Sequence, residues 1–324
     1  MKLKIKIPNR LFTLAIYMFS SLFLLHPIVK AQDSTIVTEK TTASKKLKPV
    51  KNTFQSVWII DNQTVLVPVK GTFEMDIMHR FGTVNNGYQD FWGFFAPSNI
   101  RLGVAYAPIN KLYLGIGLTK SNLLWDASAK YAIITQTKSK YPVSVTYYGD
   151  VAYDTRKDED KSLFKYPEQR VLFFNQIIVA RKLTDKLSVQ VAASLSHQNA
   201  VNGYYTKNDS TGKEIFKEMK HDHFAVSVSA RYKITNVTSL MINYDQPITK
   251  HATSNPNPNL SFGVEFNTSS HSFQLFMGNY ALLNPGRNNL YNANSPFNYT
   301  DVNGTKIKGG QFLIGFNITR LWNY

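Results

Sequence analysis

His221-Asp222-His223 sets two imidazoles and a carboxylate within three residues. On a strand, alternate residues share a face, so both imidazoles would point the same way. Two imidazoles and one carboxylate are too few to specify zinc without ligands from elsewhere in the chain. The stretch reads as a polar loop leading into a strand, and no metal is expected. Ser194, Ser196 and His197 bring hydroxyls beside an imidazole, the ingredients of nucleophilic hydrolysis. Residues 196 and 197 point to opposite faces of a strand and cannot pair. His271 with Ser272 fails likewise, and there is no G-x-S-x-G elbow. With no cysteine there is neither a disulfide nor a thiolate ligand. The sequence therefore points away from an enzyme, with no catalytic residue, metal or cofactor expected.

A second set of chemical groups is more regular. Glu74, Asp76, Arg80, Arg101, Asp126, Lys130, Asp150, Asp154, Arg231, Asp245 and Glu265 each stand in a stretch whose other parity is apolar. If the apolar faces meet lipid, these charges line a polar interior. Two readings follow. The interior is a channel or binding pocket, or the charges form cross-barrel ion pairs that fill it, since a buried charge must be paired to be tolerated. The nine lumen-facing candidates are Glu74, Asp76, Arg80, Arg101, Asp126, Lys130, Asp150, Arg231 and Glu265.

The elements that position them are strands. From about residue 71 the chain alternates with a period of two. Ile100, Leu102, Val104 and Tyr106 alternate with Arg101, Gly103 and Ala105; Leu187, Val189, Val191 and Leu195 alternate with Ser188, Gln190, Ser194 and Ser196. About twelve such segments are expected, at 71–81, 99–107, 111–119, 123–135, 142–154, 169–182, 186–197, 223–233, 237–246, 259–267, 271–279 and 310–324. Most reach the roughly 9–11 residues that a tilted transmembrane strand needs. Tight connections (108–110, 183–185, 234–236, 268–270) alternate with long ones (83–98, 155–168, 198–222, 247–258, 280–309), and only the short link near Lys120 interrupts the pattern. Short turns on one side and long loops on the other is the arrangement of an outer-membrane barrel. The expected fold is thus all-β: a transmembrane antiparallel β-barrel of about 12 strands, with short periplasmic turns and long extracellular loops.

Composition agrees. The 324 residues are 43% hydrophobic and 13% aromatic but only 18% charged, and the mean hydropathy of −0.24 is too polar for a helical membrane protein. No apolar run after residue 31 is long enough for a membrane helix. The first 31 residues read as a signal peptide: a basic start (Lys2, Lys4, Lys6, Arg10), an apolar stretch from Leu11 to Leu25, and cleavage after Ala31. Of the net charge of +16, the leader carries five basic residues, which leaves 32 basic against 21 acidic residues, or +11. In an exported chain this favours lipid phosphates as partners over nucleic acid, for which no recognition motif is present. Residues 32–70 are a Lys-rich segment followed by 53–70, which reads as a hairpin, an inner plug or a lead-in to the first strand.

The last strand bears the assembly features. Phe312, Ile314, Phe316, Ile318, Trp322 and Tyr324 alternate with smaller or polar residues, and the chain stops on an aromatic. Phe316, Ile318, Trp322 and Tyr324 resemble the C-terminal signal by which bacterial barrels are assembled. Trp58, Trp92, Trp125 and Trp322 read as members of interfacial aromatic belts; the run Asp90-Phe91-Trp92-Gly93-Phe94-Phe95 lies in a long loop, where a belt explains it less easily.

MHRFGTVNNGYQDFWGF (Met78 to Phe94), Asn99 to Gly117 and Gln176 to Gln190 resemble an uncharacterised family of Bacteroidota outer-membrane β-barrel proteins, a domain of unknown function. The resemblance runs from about residue 53 to the end. It implies a barrel in the outer membrane and carries over no substrate. The expected organisation is a signal peptide (1–31), an N-terminal segment (32–70) and an outer-membrane barrel (71–324). The expected role is non-enzymatic: passing or binding small molecules through a polar lumen, with an accessory barrel that docks an envelope protein as the alternative and a lipid-modifying enzyme behind it. Outer-membrane lipids, the barrel-assembly machinery, a small-molecule cargo and an envelope protein are the candidate partners.

Overall fold

The wall of the molecule is twelve antiparallel strands hydrogen-bonded in a closed ring. This computed structural model describes residues 48–207, 211, 214–252, 255–300 and 306–323. The leader, residues 32–47 and Tyr324 lie outside the described residues. In chain order, a small hairpin of β1 (Trp58–Ile59) and β2 (Asn62–Gln63) comes first. The wall strands β3 (Thr72–Thr83), β4 (Asn99–Ile109), β5 (Leu112–Thr119), β6 (Leu124–Ile134), β7 (Ser144–Asp154), β8 (Val171–Lys182) and β9 (Leu187–Gln198) follow. A loop hairpin, β10 (Gly203–Lys207) and β11 (Glu214–Glu218), precedes β12 (Asp222–Lys233), β13 (Thr238–Pro247), β14 (Asn259–Asn267) and β15 (His271–Gly278). The final long loop carries helix α1 (Pro285–Tyr291) and a small pair, β16 (Tyr299–Thr300) and β17 (Lys306–Ile307), before β18 (Leu313–Asn323) closes the ring against β3.

Closure leaves the wall with no free edge, as a bilayer requires, because an unpaired backbone group in hydrocarbon costs several kcal/mol. Phe316 lies opposite His79 and Trp322 opposite Phe73 in the closing register, whose bulge falls between Leu313 and Gly315. The rings of Phe73 and Trp322 meet at 5.6 Å. The start of β3 and the end of β18 share the rim that carries the short turns.

Each wall strand runs 8 to 12 residues, the length of a tilted membrane crossing. Alternation along them sorts the side chains. On β3 Thr72, Glu74, Asp76, Met78 and Arg80 are buried, whereas Phe73 and Met75 are exposed. On β4 Arg101 and Ala105 are buried while Leu102, Val104 and Tyr106 are exposed. The outward row is apolar, aliphatic or aromatic, as a lipid-facing strand surface requires. No helix of the described residues is long and apolar enough to cross a membrane.

The connections at the short-turn rim are brief, apart from 135–143 between β6 and β7. Those at the other rim are long, apart from 120–123, where Ser121–Leu123 forms a single short turn. Asp90–Phe95 lies in the loop between β3 and β4. Tyr88, Phe91, Trp92, Phe94 and Phe95 are exposed there and cluster by ring contacts. Phe94 continues onto the outward Phe81 of the wall, with ring centres 4.6 Å apart.

Candidate functional site

The interior of the ring is where the chemistry collects, and it begins with the wall's own charges. Arg101 on β4 sits between two carboxylates. Its Nη1 donates to Asp76 Oδ1 at 2.6 Å, and its Nη2 and Nε donate to the two oxygens of Asp126 at 2.6 and 3.0 Å. The sequence prepares this site: a Cβ on Gly103 would collide with Asp76 and Arg101, and one on Gly117 with the Arg101 guanidinium. Only glycine leaves room for the planar fork at both positions. On the far side of the ring, Arg231 Nε donates to Glu265 Oε1 at 2.6 Å. Arg101, Asp76 and Asp126 are thus brought together, as are Arg231 and Glu265. Glu74 is fully buried on the same inner face. Arg80, Lys130 and Asp150 find their partners elsewhere.

Those partners come from two segments folded into the ring. The first is the N-terminal stretch. It enters at the short-turn rim, where Val50 N donates to Gln136 O at 2.8 Å, and turns back at the β1–β2 hairpin. Arg80 Nη2 donates to Asp61 Oδ1 at 2.8 Å, and Lys130 Nζ to Gln63 Oε1 at 2.7 Å. The hairpin's backbone groups are met by wall side chains around most of the ring. Gln274 accepts from Ile60 N at 3.1 Å and donates to Trp58 O at 2.8 Å. Asn317 donates to Ile60 O at 2.7 Å, Gln190 to Gln63 O at 2.8 Å, and Thr146 to Val65 O at 3.2 Å. Asn62 donates to Asn243 and Asp245 at 2.9 and 2.6 Å. A peptide buried this deeply must have its amides satisfied, and the wall's amide and hydroxyl side chains do so where a sheet would use backbone.

Apolar contacts add to this. Phe54, Ile59, Ile60 and Val65 are buried in one cluster with Tyr148, Phe174, Ile178 and Phe276 of the wall. Trp58 is buried too, in a cluster with Met78 and Tyr113, and Arg101 lies over its ring at 5.5 Å. This corrects the belt reading for Trp58, which packs inside the ring. Trp125 is exposed on the outer face of β6, and Trp92 is exposed in its loop. Burial, the largest influence, pushes the Asp61 carboxyl above its ordinary range, while the charge and hydrogen bond of Arg80, and then Arg101, pull it back.

The second segment descends from the long-loop rim. Asn284 caps α1 by accepting from Arg287 N at 3.1 Å and donates to Asp150 Oδ1 at 2.9 Å. Asn289 accepts from Asn259 at 3.0 Å, and Tyr280 bonds Ser261 through its hydroxyl at 2.6 Å. Leu283 joins the cluster that holds Trp58, and Leu290 joins the cluster that holds Phe54 and Ile60. The two segments therefore join the same two buried clusters from opposite ends, and the interior is packed between them.

The other candidate groups do not converge. His221 is exposed and contacts Gln198 O, whereas His223 is buried and faces His251 at 2.8 Å. The described residues hold no cluster of metal-ligating side chains. Ser196 is buried on the inner face, while His197 pairs with Asp222 at 2.7 Å. Ser272 is buried, and the imidazole of His271 stacks against the exposed Phe273. The residues that sequence reasoning overlooked are the neutral ones: Gln190, Asn243, Gln274 and Asn317 hold the hairpin. Their signal was present, since each sits at inward parity in a strand where a neutral amide has no other evident purpose.

A family model described as a membrane bound beta barrel domain (DUF5777) matches residues 54–322. The matched span includes the inner hairpin as well as the wall. Among solved structures, an outer-membrane channel from Pseudomonas putida F1 is similar with a TM-score of 0.47 and 12% identity, covering 79% of this chain and 97% of that one. The NanC porin is similar with a TM-score of 0.42 and 10% identity, over 78% and 99% of the two chains. The KdgM porin follows with a TM-score of 0.40 and 8% identity, over 78% and 99%. No curated protein sequence matches this chain significantly.

Proposed function

The chain belongs to this family of membrane-bound β-barrel domains, and from that premise we propose that it is an outer-membrane channel for small solutes, held shut by its own N-terminal hairpin. The observation that carries this reading is how the hairpin is held. Gln274, Asn317, Gln190, Thr146 and Lys130 bind its backbone and side chains from several wall strands. Each neutral bond is worth only about 0.5–1.5 kcal/mol net, and one to an ammonium about 1.5–3, because water replaces it when the partners separate. The segment adds apolar burial through Phe54, Trp58, Ile59 and Ile60, but among the described residues it shares no backbone ladder with the closed wall, so it can leave without unfolding the wall. The inward charges Glu74, Asp76, Arg80, Arg101, Asp126, Lys130, Asp150, Arg231 and Glu265 would then face the solute path. Export through a leader cleaved after Ala31, and insertion by the barrel-assembly machinery acting on a C-terminal sequence that includes Phe316, Ile318, Trp322 and Tyr324, complete the proposal.

The test is single-channel conductance in planar bilayers, for the mature chain and for a form lacking residues 32–66. The full chain should be silent or open rarely, and the truncated form should show discrete, ion-selective steps. Silence from both, with folding confirmed by heat-modifiable migration on a gel, would sink the channel reading.

A second reading, an accessory barrel that docks an envelope protein, is favoured by the exposed aromatic cluster of Tyr88, Phe91, Trp92, Phe94 and Phe95. A stoichiometric partner that co-purifies with the parent and is lost on Phe91→Ser/Trp92→Ser substitution is the expected result for that role. Retention of the partner by the variant would remove the loop from it.

A further inference from the structure

At the long-loop rim, above α1, a recess of about 410 Å³ opens between the wall and the inward loop. Its size falls within the roughly 300–1,000 Å³ of small-molecule sites. Three arginines line it: Arg156 and Arg170 from the β7–β8 loop, and Arg287 from α1. The acidic residue among them is Asp154, and it is already engaged: Arg156 grips its two oxygens through Nη2 and Nε at 2.8 and 3.0 Å. Arg170 is fixed by its Nη1 donating to the carbonyls of Asp154 and Arg156 at 2.9 and 2.8 Å. Its guanidinium lies over the Phe164 ring at 4.7 Å. Among the described residues, Arg170 therefore keeps its other nitrogens free of protein acceptors, and Arg156 keeps its Nη1.

Arg287 differs from both. Its guanidinium makes no hydrogen bond and no ion pair among the described residues; it lies over the ring of Tyr291 at 5.8 Å. Burial, the largest influence, pulls its pKa below the ordinary arginine value, Asp154 and Tyr291 oppose this, and Arg156 adds to it. A half-buried fork of five donors with no acceptor is in an unfavourable place unless an anion arrives, because a desolvated charge costs several kcal/mol. Arginine forks match the two oxygens of a carboxylate or phosphate. Phe164, Tyr291, Leu172 and Leu282 supply apolar surface beside them.

The geometry points to this recess as the entry subsite of the channel for a small organic anion, a carboxylate or phosphate monoester with an apolar or aromatic body, its acid group held by Arg287 with help from Arg156 and Arg170. The inference rests on the channel reading for its place in transport, but binding itself needs no open pore.

The test is isothermal titration calorimetry on the folded full-length mature chain, with benzoate and phenyl phosphate as probes and benzamide and phenol as neutral controls. Saturable binding of the anions, absent for the controls and weakened by added salt, is expected. Arg287→Gln should weaken it roughly ten- to hundredfold, as expected for losing a charge-assisted pair, and Arg287→Lys should weaken it less. Arg156→Gln, on a more exposed arm, serves as the second variant and should also reduce affinity. No saturable binding, equal binding of benzamide, or undiminished binding by both Gln variants would overturn the subsite. Binding without conductance in any form would keep the subsite and discard the channel. Conductance without binding would do the reverse.

Discussion

Arg101→Leu should be the most destabilising single substitution in the wall. The side chains of Arg101, Asp76 and Asp126 are 5%, 5% and 2% exposed, so water cannot take over the role of the guanidinium. Removing it leaves two carboxylates buried near each other with no cation between them. Breaking a buried pair in this way costs about 3–5 kcal/mol, because the remaining charge keeps its desolvation penalty and loses its compensation. Here two charges are orphaned, and the loss should reach the upper part of that range. Arg101→Lys should recover only part of it, since an ammonium cannot donate bidentately to Asp126 while also reaching Asp76. The decisive comparison is Arg101→Leu/Asp76→Asn/Asp126→Asn, which removes all three charges and should restore most of the stability. Equilibrium unfolding in urea, with the barrel folded into vesicles, gives the measurement. A single Arg101→Leu variant within about 0.5 kcal/mol of the parent, the size of an ordinary surface change, would show that the triad is not what holds this part of the wall.

Asp61→Asn should act on the hairpin and leave the wall intact. Arg80 is fully buried and among the described residues has one anionic partner, Asp61 at 2.8 Å; its other acceptors are Asn317 Oδ1 at 2.9 Å and the carbonyls of His79 and Phe316. With the hairpin docked, Asp61→Asn leaves Arg80 desolvated without a counter-charge. With the hairpin withdrawn, water reaches the guanidinium and the penalty vanishes. The substitution therefore destabilises the docked state selectively, by up to about 3 kcal/mol on the scale of broken buried pairs, and at 1.4 kcal/mol per decade the open fraction should rise up to roughly a hundredfold. Arg80→Gln combined with Asp61→Asn removes the buried charge as well and should bring the open fraction back to within about tenfold of the parent. Open probability in planar bilayers reads all three. An Asp61→Asn channel that gates like the parent would mean that this ion pair does not hold the hairpin.

Much of the wall is legible in the sequence because a strand's period is local. Lys111 to Thr119 shows Leu112, Leu114, Ile116 and Leu118 against Tyr113, Gly115 and Gly117, and the structure sets β5 at Leu112–Thr119 with the aliphatic row outward. The turn at 234–236 and the loop at 247–258 announce themselves by composition, and the observed strands end within a residue or two of them. The stretch at 169–182, apolar on both faces, still forms β8, with Phe174 and Ile178 turned in against the hairpin. That inward apolar row is the mark of an interior packed with protein, and sequence alone offers no means of telling it from an ambiguous strand.

Partners inside the ring are another matter. Arg101 on β4 finds Asp76 on the adjacent strand β3, and reaches across Gly117 of β5 to Asp126 on β6, two strands along the ring. Asn317 meets Ile60 across 257 residues, and Gln274 meets Trp58 across 216. No local pattern encodes such a meeting. It depends on twelve strands closing and on the interior being wide enough to admit a hairpin from one end and a short helix from the other. Trp58 illustrates the point: its type suits a membrane belt, and its neighbours Val57, Ile59 and Ile60 suit a strand in the wall. Arg287 sits in a long polar loop with no periodicity at all.

Outside the stretch that forms β8, the sequence by itself determined which strand faces are apolar and which turn inward, roughly where the strands turn, and that the chain crosses a membrane as a barrel, because alternation and turn chemistry are properties of neighbouring residues. Only the tertiary structure decided what the inward residues are for. Ring closure creates an enclosed space in which a charge or an amide must be matched by whatever the chain folds into it, and that match is a property of the whole ring at once.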